Sequence, residues 1–323
     1  MTATSVEDVL DGAHVLALPM RTRFRGIRTR EVVLFQGPAG WGEFAPFVEY
    51  DDQESSAWLR AGIEAAWEGP PKPYRERVRV NATVPAVSPD EVEGILERYA
   101  GVDTAKVKVA EKGQTLAEDI ARVRAVRARV PRVRVDANGG WSVEEAVTAL
   151  TALLEDGELE YAEQPCATVP ELVEVRRRLP GVRIAADESI RRAEDPLRVV
   201  RAGGADVAVL KVAPLGGMRA LLELAGELGE YGVPVVVSSA LDSAVGMAAG
   251  LAAAAAIPRL EFACGLGTGS LFTQDVCEHA ELVDGTLAAA VAVPDPERLQ
   301  ALAASEDRVA WWHDRVRRCF TLL

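Results

Sequence analysis

A chain of 323 residues that is 49% hydrophobic and 26% charged has the makeup of an ordinary globular protein, which excludes a disordered chain, a collagen and a disulfide miniprotein. A net charge of −13 argues against a nucleic-acid partner, since duplex binders carry a basic face. Cys166, Cys264, Cys277 and Cys319 stand far apart with no CxxC or Cys/His spacing, so neither a zinc site nor a disulfide framework is indicated. The acidic start, MTATSVEDVLDGAH, has no basic segment followed by an apolar one, and the longest apolar run, near 247–257, is too short to span a bilayer. The expectation is a cytoplasmic protein without a membrane partner.

The first 77 residues open with β-type runs at 14–18, 31–35 and 41–44, the last two joined by the turn Gly37-Pro38-Ala39-Gly40. A helical stretch follows over about 53–67, and Gly69-Pro70-Pro71-Lys72-Pro73 reads as a linker. Beyond it a pattern repeats: a β-branched run ending in a polar residue, then an amphipathic helical stretch. The runs fall at 78–83, 104–109, 133–136, 159–163, 182–187, 207–211, 235–239 and 260–263. Residues 116–130 place apolar side chains at 116, 120, 123, 126 and 130, and Ser142 with Glu145 makes a capping-box signature heading a helix over 142–154. Further helical stretches cover 169–179, 196–202 and 217–229.

Lys108, Asp136, Glu163, Asp187, Lys211 and Ser239 end successive runs at gaps of 28, 27, 24, 24 and 28 residues, the length of one βα unit. Eight such runs predict an α/β fold closed into a (β/α) barrel. The competing open doubly wound sheet lacks its fingerprint, because no GxGxxG follows the first run. The tail carries an Asp284-Gly285 turn and a last helix near 297–317, expected to pack back on the N-terminal α+β unit. The domains expected are therefore 1–77 plus 282–323, and a barrel over 78–281.

Only five of the 36 basic residues are lysines, at 72, 106, 108, 112 and 211, so each is worth placing. Barrel chemistry sits at the C-terminal ends of the strands. There the chain puts Lys106 and Lys108, then Asp136, Glu163, Asp187 and Lys211. Singly, each has an ordinary structural reading: a KxK is usually a solvated face, a strand-end Asp usually caps a helix, and Glu163 before Gln164-Pro165 can simply end a strand. Six in register are hard to explain that way.

Three carboxylates meeting at one point must take up a proton or a cation. An all-oxygen set without His or Cys suits a hard ion, Mg²⁺, with Mn²⁺ as the alternative. Strand alternation puts the Lys106 and Lys108 amines on one face and Val107 on the other. Two ammonium groups beside a divalent cation are expected to depress each other's pKa from about 10.4 toward about 7–8, the range of a usable base. Lys211 enters from across the ring. The reaction class is proton abstraction α to a carboxylate, on a small-molecule carboxylate substrate. His14, His279 and His313 lie away from these strand ends, which disfavours Ser-His-Asp chemistry. Asn81-Ala82-Thr83 is a glycosylation sequon by pattern only, Trp311-Trp312 reads as packing, and 265–269 reads either as N–H groups for a carboxylate or as a tight turn. No interface stripe is legible, so the oligomeric state stays open.

The motifs Lys106-Val107-Lys108, Val135-Asp136-Ala137-Asn138, Glu163-Gln164-Pro165, Ala186-Asp187-Glu188-Ser189 and Leu210-Lys211 resemble the enolase superfamily, in its muconate lactonizing enzyme subgroup. Sites of that superfamily use a Lys or His base with one or two Mg²⁺ ions. The resemblance implies a modified (β/α)7β TIM-like barrel under an α+β capping domain, with Asp136, Glu163 and Asp187 as metal ligands. Arg23-Phe24-Arg25-Gly26, the 238–243 segment and Gly265-Leu266-Gly267-Thr268-Gly269 look most like the o-succinylbenzoate synthases of actinobacterial type. Those enzymes dehydrate 2-succinyl-6-hydroxy-2,4-cyclohexadiene-1-carboxylate (SHCHC) to 2-succinylbenzoate in menaquinone biosynthesis. Carried over, Lys108 takes the α-proton and returns it to the departing hydroxyl, Lys106 tunes Lys108, and Lys211 stabilises the metal-bound enediolate from the opposite face. Asn138 and Glu188 support that carboxylate side; Ser239, Gly265, Leu266, Gly267 and Thr268 line the succinyl side. Loops near 20–26 and 47–52 close the site.

Dipeptide epimerases of similar barrels tend to carry Asp-x-Asp on strand eight, where this chain has Ala263-Cys264-Gly265-Leu266-Gly267 and no acid. N-succinylamino acid racemases, or another epimerase or cycloisomerase of the subgroup, are the alternative, and a barrel that only binds is the remote one.

Overall fold

The computed structural model describes residues 5–323; residues 1–4 of the expected N-terminal unit lie outside the described residues. Strands β1 (His14–Phe24), β2 (Ile27–Gly37) and β3 (Gly40–Phe44) form an antiparallel sheet in that order. The helix Asp52–Trp67 lies on it, close enough that a Cβ on Gly62 would sit 2.5 Å from the Glu43 carbonyl oxygen, so only glycine fits there. Their core joins Leu16, Leu18, Val33, Phe35, Phe44, Trp58 and Ile63 to Trp312 and Val316 of the tail. The single final helix expected over 297–317 is two, Pro296–Ala301 and Glu306–Phe320. It breaks because the backbone between them pairs with β1: Ala17 N–H donates to Leu302 O and Ala304 N–H to Val15 O. Trp312 is fully buried and donates its indole N–H to Glu31, which is the packing role expected of it.

The 78–83 run changes partner midway. β4 (Arg77–Arg79) pairs antiparallel with a strand from the tail, Thr286–Ala288, while β5 (Ala82–Val84) begins the parallel sheet. β6 (Thr104–Lys108), β7 (Arg132–Asp136), β8 (Tyr161–Glu163), β9 (Ile184–Ala186), β10 (Val207–Leu210) and β11 (Val235–Val237) follow side by side in chain order. The eighth strand, expected at 260–263, is reduced to a pair of bridges farther along: Cys264 pairs with Val80 and Gly265 with Ser238. Phe262 instead folds into the barrel floor. The two bridges close the ring. At this seam a Cβ on Gly265 would press on the Ser238 side chain, so the absence of a side chain at 265 lets the two segments approach closely.

Alternation along the strands sorts the side chains. Ala105, Val107, Val133, Val135, Ala162, Ile184 and Leu210 face the surrounding helices. Tyr161, Ala185, Val207, Val209 and Val236, with Phe262 against them, fill the barrel floor. Buried Arg134 caps that layer, its guanidinium 4.6 Å from the Tyr161 ring centroid and bonded to Asn81 Oδ1 and Ala263 O. Asn81 is thus inside the barrel, out of reach of a glycosylating enzyme. Helices Leu116–Arg127, Val143–Leu154 and Val169–Arg178 start on the rim above the strand ends, headed by capping boxes at Thr115/Glu118, Ser142/Glu145 and Thr168/Glu171. Among the described residues no helix is long and apolar enough to cross a membrane.

The N-terminal sheet is fastened to the barrel by buried polar groups. Glu43 on β3 accepts from Ser243 N–H, Ser243 Oγ and Gly246 N–H, capping the helix Ala244–Ala256 that follows β11. Burial, and then the neighbouring Asp242, push the Glu43 carboxyl up to about 8. Arg30 on β2 donates to Leu241 O and Ala45 O beside them.

Candidate active site

Parallel pairing in register sets the rim. Lys108 lies opposite Asp136, and Asp136 opposite Glu163. Asp187 and Lys211 directly follow β9 and β10. With the floor filled by apolar side chains, these polar ends can only project into the cup above it. The backbone then turns sharply. Ala110, Asn138, Gln164 and Leu241, each one or two residues past Lys108, Asp136, Glu163 or Ser239, all have φ between 39° and 65°. Non-glycine residues in the left-handed region cost about 1–3 kcal/mol each and collect at functional sites.

The six charged groups form one ion-paired layer. Lys106 Nζ donates to both Glu163 oxygens at 2.7 and 2.9 Å and stands 3.1 Å from Asp136 Oδ2. Lys108 Nζ donates to Asp136 Oδ2 and to Asn138 Oδ1, each at 2.6 Å. Lys211 Nζ donates to Asp187 Oδ2 from the far wall. Asn138 also donates its backbone N–H to Asp136 Oδ1 and its amide to Glu188 Oε1. Gln164 holds the next corner, donating to Ser189 Oγ and accepting from the N–H groups of Asp187 and Ser189. Arg122, buried against Asp119, donates to Lys108 O and fixes the end of β6.

Asp136, Glu163 and Asp187 are each 1% exposed, so they are charged only if paired. For Asp136 burial alone would raise the pKa, but Lys108 and Lys106 hold it far below the usual carboxylate range. Burial opposes ionisation of Asp187 too, and Lys211 and Arg191 outweigh it. Glu163 goes the other way: burial, then Asp136, push it up to about 7. Lys106 differs from the expectation of a depressed amine. Burial would lower it, but Glu163 and Asp136 hold it well above its ordinary value, so carboxylates and not other amines dominate its surroundings. Among the described residues no three His, Cys, Asp or Glu side chains stand close enough to ligate one ion as they are. Lys106 lies between Asp136 and Glu163, while Lys108 pairs with Asp136 and Lys211 with Asp187, and together they supply the positive charge that the acids require. A buried, all-oxygen donor set stabilised by paired cations fits a hard divalent ion.

Above this layer lies a cleft of about 580 Å³. Lys106, Lys108, Asp136, Asn138, Glu188, Lys211, Ser239, Gly265 and Thr268 all reach it. Glu163 and Asp187 lie just beneath. Ser239 Oγ and Thr268 Oγ1 are hydrogen-bonded to each other at 2.5 Å on the wall next to the barrel seam. Leu266 and Gly267 do not reach the cleft. Leu266 is fully buried against Gly250 on the helix side of the barrel, and Gly267 packs on Asn81 and Tyr99. The Gly265 N–H is spent on Val237 O, so the reading of this turn as tight closure holds for that residue. From the N-terminal unit, Phe24, Arg25, Tyr50 and Trp58 complete the lining, Phe24 with its ring centroid 5.5 Å from Lys108 Nζ. Arg191 and Tyr50 were not singled out in the sequence. For Arg191 a signal existed: it lies four residues after Asp187, one helical turn on, and pairs with Asp187 Oδ1 at 3.1 Å and Glu188 Oε1 at 2.8 Å.

Residues 90–295 match the family described as enolase C-terminal domain-like, and residues 15–66 match enolase N-terminal domain-like. The structure resembles muconate lactonizing enzyme from Pseudomonas putida with a TM-score of 0.75, at 20% identity, over 90% of this chain and 98% of that one. The chain belongs to the enolase superfamily, whose members work with a divalent metal. Relatives extend over nearly its whole length. The o-succinylbenzoate synthase of Mycobacterium marinum is 63% identical over 319 residues, 99% of this chain and 96% of that protein. That of Mycobacterium tuberculosis H37Rv is 64% identical over 318 residues, 98% of this chain and 96% of the relative. Within the superfamily, the chain belongs to the o-succinylbenzoate synthase family.

Proposed function

We propose that this chain catalyses the dehydration of SHCHC to 2-succinylbenzoate, as a cytoplasmic enzyme that uses Mg²⁺. The observation that carries the reading is the rim itself, where three buried carboxylates on adjacent strands, flanked by the Lys106 and Lys108 amines on one side and Lys211 on the other, lie beneath the cleft. The metal is assigned to Asp136, Glu163 and Asp187, with Mn²⁺ as a substitute; when bound, it would neutralise the ring carboxylate and lower the cost of a second negative charge on it. Lys108 fits the base. It stands higher than Lys106, touches the cleft and lies under Phe24. Its Nζ takes the proton from the carbon next to the carboxylate, and the same ammonium returns that proton to the hydroxyl, which leaves as water while the ring becomes aromatic. Lys106, held as an ammonium by Glu163 and Asp136, adds positive potential next to Lys108. Lys211, on the opposite wall, faces the other side of the ring and stabilises the charge that develops. Asn138 orients Lys108 and Glu188. Phe24, Tyr50 and Trp58 keep water from the reacting face.

SHCHC supplied with Mg²⁺ and followed by ultraviolet absorbance tests the reading: conversion to the aromatic product is expected, and no conversion with full Mg²⁺ binding contradicts it. The two lysines on opposite walls are also the arrangement that 1,1-proton transfer needs. α-Deuteration of an N-succinylamino acid in D₂O, in the absence of SHCHC turnover, would turn the assignment to a racemase.

A further inference from the structure

We propose that Arg191 is a positioning residue that, through the Tyr50 hydroxyl, latches the hairpin tip of the capping sheet over the cleft and ties it to Asp187 and Glu188. The tip needs such a latch. β1 and β2 pair regularly only as far as Pro19 and Thr29, and the register then shifts before Phe24 meets Ile27. The Thr273 N–H, donated to Pro19 O, anchors the base of the hairpin, below the tip. Past that point Arg25, itself at φ 48°, reaches across to the 47–52 loop of the same N-terminal unit, the loop that meets the barrel at Arg191. The Arg25 guanidinium lies 4.0 Å from the Phe47 ring centroid and donates to Tyr50 OH at 3.1 Å. Arg191 Nη1 donates to the same hydroxyl at 3.4 Å from below.

Tyr50 is a fixed platform for both. Its loop is held from underneath by Arg315, which donates to Phe47 O, Tyr50 O and Ser55 Oγ, and its ring packs on Phe47 and Trp58 with centroids 5.6 and 6.1 Å away. Arg192 adds a clamp, paired with Glu54 and 5.0 Å from the Tyr50 ring. The Arg191 side chain is 4% exposed, and its other nitrogens are committed to Asp187 and Glu188. One phenol oxygen therefore joins the lid to the helix turn carrying a proposed metal ligand. Because Phe24 rides on the same tip, the latch also sets how firmly the cleft over Lys108 is covered.

The tip contains Arg21, Arg23, Arg25 and Arg28, so limited trypsinolysis reads its mobility directly. Tyr50→Phe keeps the ring packing and removes only the shared hydroxyl. Cleavage at the tip is expected to speed up about tenfold, the worth of a hydrogen bond to a charged group, with the Tm little changed. Arg191→Gln, which leaves the Arg25 bond to the same hydroxyl, should give a smaller acceleration, and the double variant no more than Tyr50→Phe alone, since that substitution already removes both bonds to the hydroxyl. KM for SHCHC should rise several-fold while kcat changes less; this readout rests on the proposed activity, whereas the cleavage readout does not. Wild-type cleavage in both single variants, or accelerations that multiply in the double variant, would overturn the latch.

Discussion

Lys108→Ala is expected to reduce SHCHC turnover by about 10²–10⁴-fold, the usual cost of removing a general base, with the fold intact. Of the two amines on β6, Lys108 stands nearer the cleft and under Phe24: its side chain is 14% exposed, against 8% for Lys106. Its loss leaves Asp136 paired to Lys106 at 3.1 Å, so no carboxylate is left without a cation. Steady-state rates with thermal melting as a control check this. A variant that melts like wild type and turns over within a factor of about three would remove Lys108 from the mechanism, because a base contributes far more than that. Lys211→Ala should fall as far in kcat. Its loss is harsher on stability, since Asp187 then keeps only Arg191.

Stripping the protein of divalent ions should abolish turnover and lower the Tm. An ion that binds only the folded chain, at about 100 times its Kd, stabilises by about 2.7 kcal/mol, or roughly 5 °C for a chain of this size. The ion must also compete with the lysines already on the carboxylates. Lys106→Gln removes the ammonium that bridges Asp136 and Glu163 and should therefore bind Mg²⁺ more tightly while turning over more slowly. Calorimetric titration of wild type and Lys106→Gln decides it. Equal or weaker binding by the variant would mean that the ion sits away from these two acids.

The barrel was legible because a parallel strand and its crossover helix have a nearly fixed length, and because a polar residue ending an apolar run has to face the cup. This placed Lys106, Lys108, Asp136, Glu163, Asp187 and Lys211 correctly at the rim. Long-range pairing left no local mark. The 78–83 run divides because Thr286–Ala288, two hundred residues away, takes its first half. The tail helix breaks because Ala303 pairs with Leu16. The state of the lysines was not legible either: strand alternation gives the face of a side chain but not its nearest neighbour, and the neighbours of Lys106 are acids. Leu266 shows the same limit. A Gly-rich turn next to the cleft suggests contact for every member, but Gly250 leaves a hole on the helix side that the Leu266 side chain fills.

Mn²⁺-soaked crystals measured at the manganese absorption edge test the metal assignment most directly. The arrangement of acids requires one strong anomalous peak bounded by Asp136, Glu163 and Asp187, with the Lys106 amine withdrawn from Glu163. A peak elsewhere, or none at saturating Mn²⁺ with the lysine–carboxylate contacts unchanged, would contradict it.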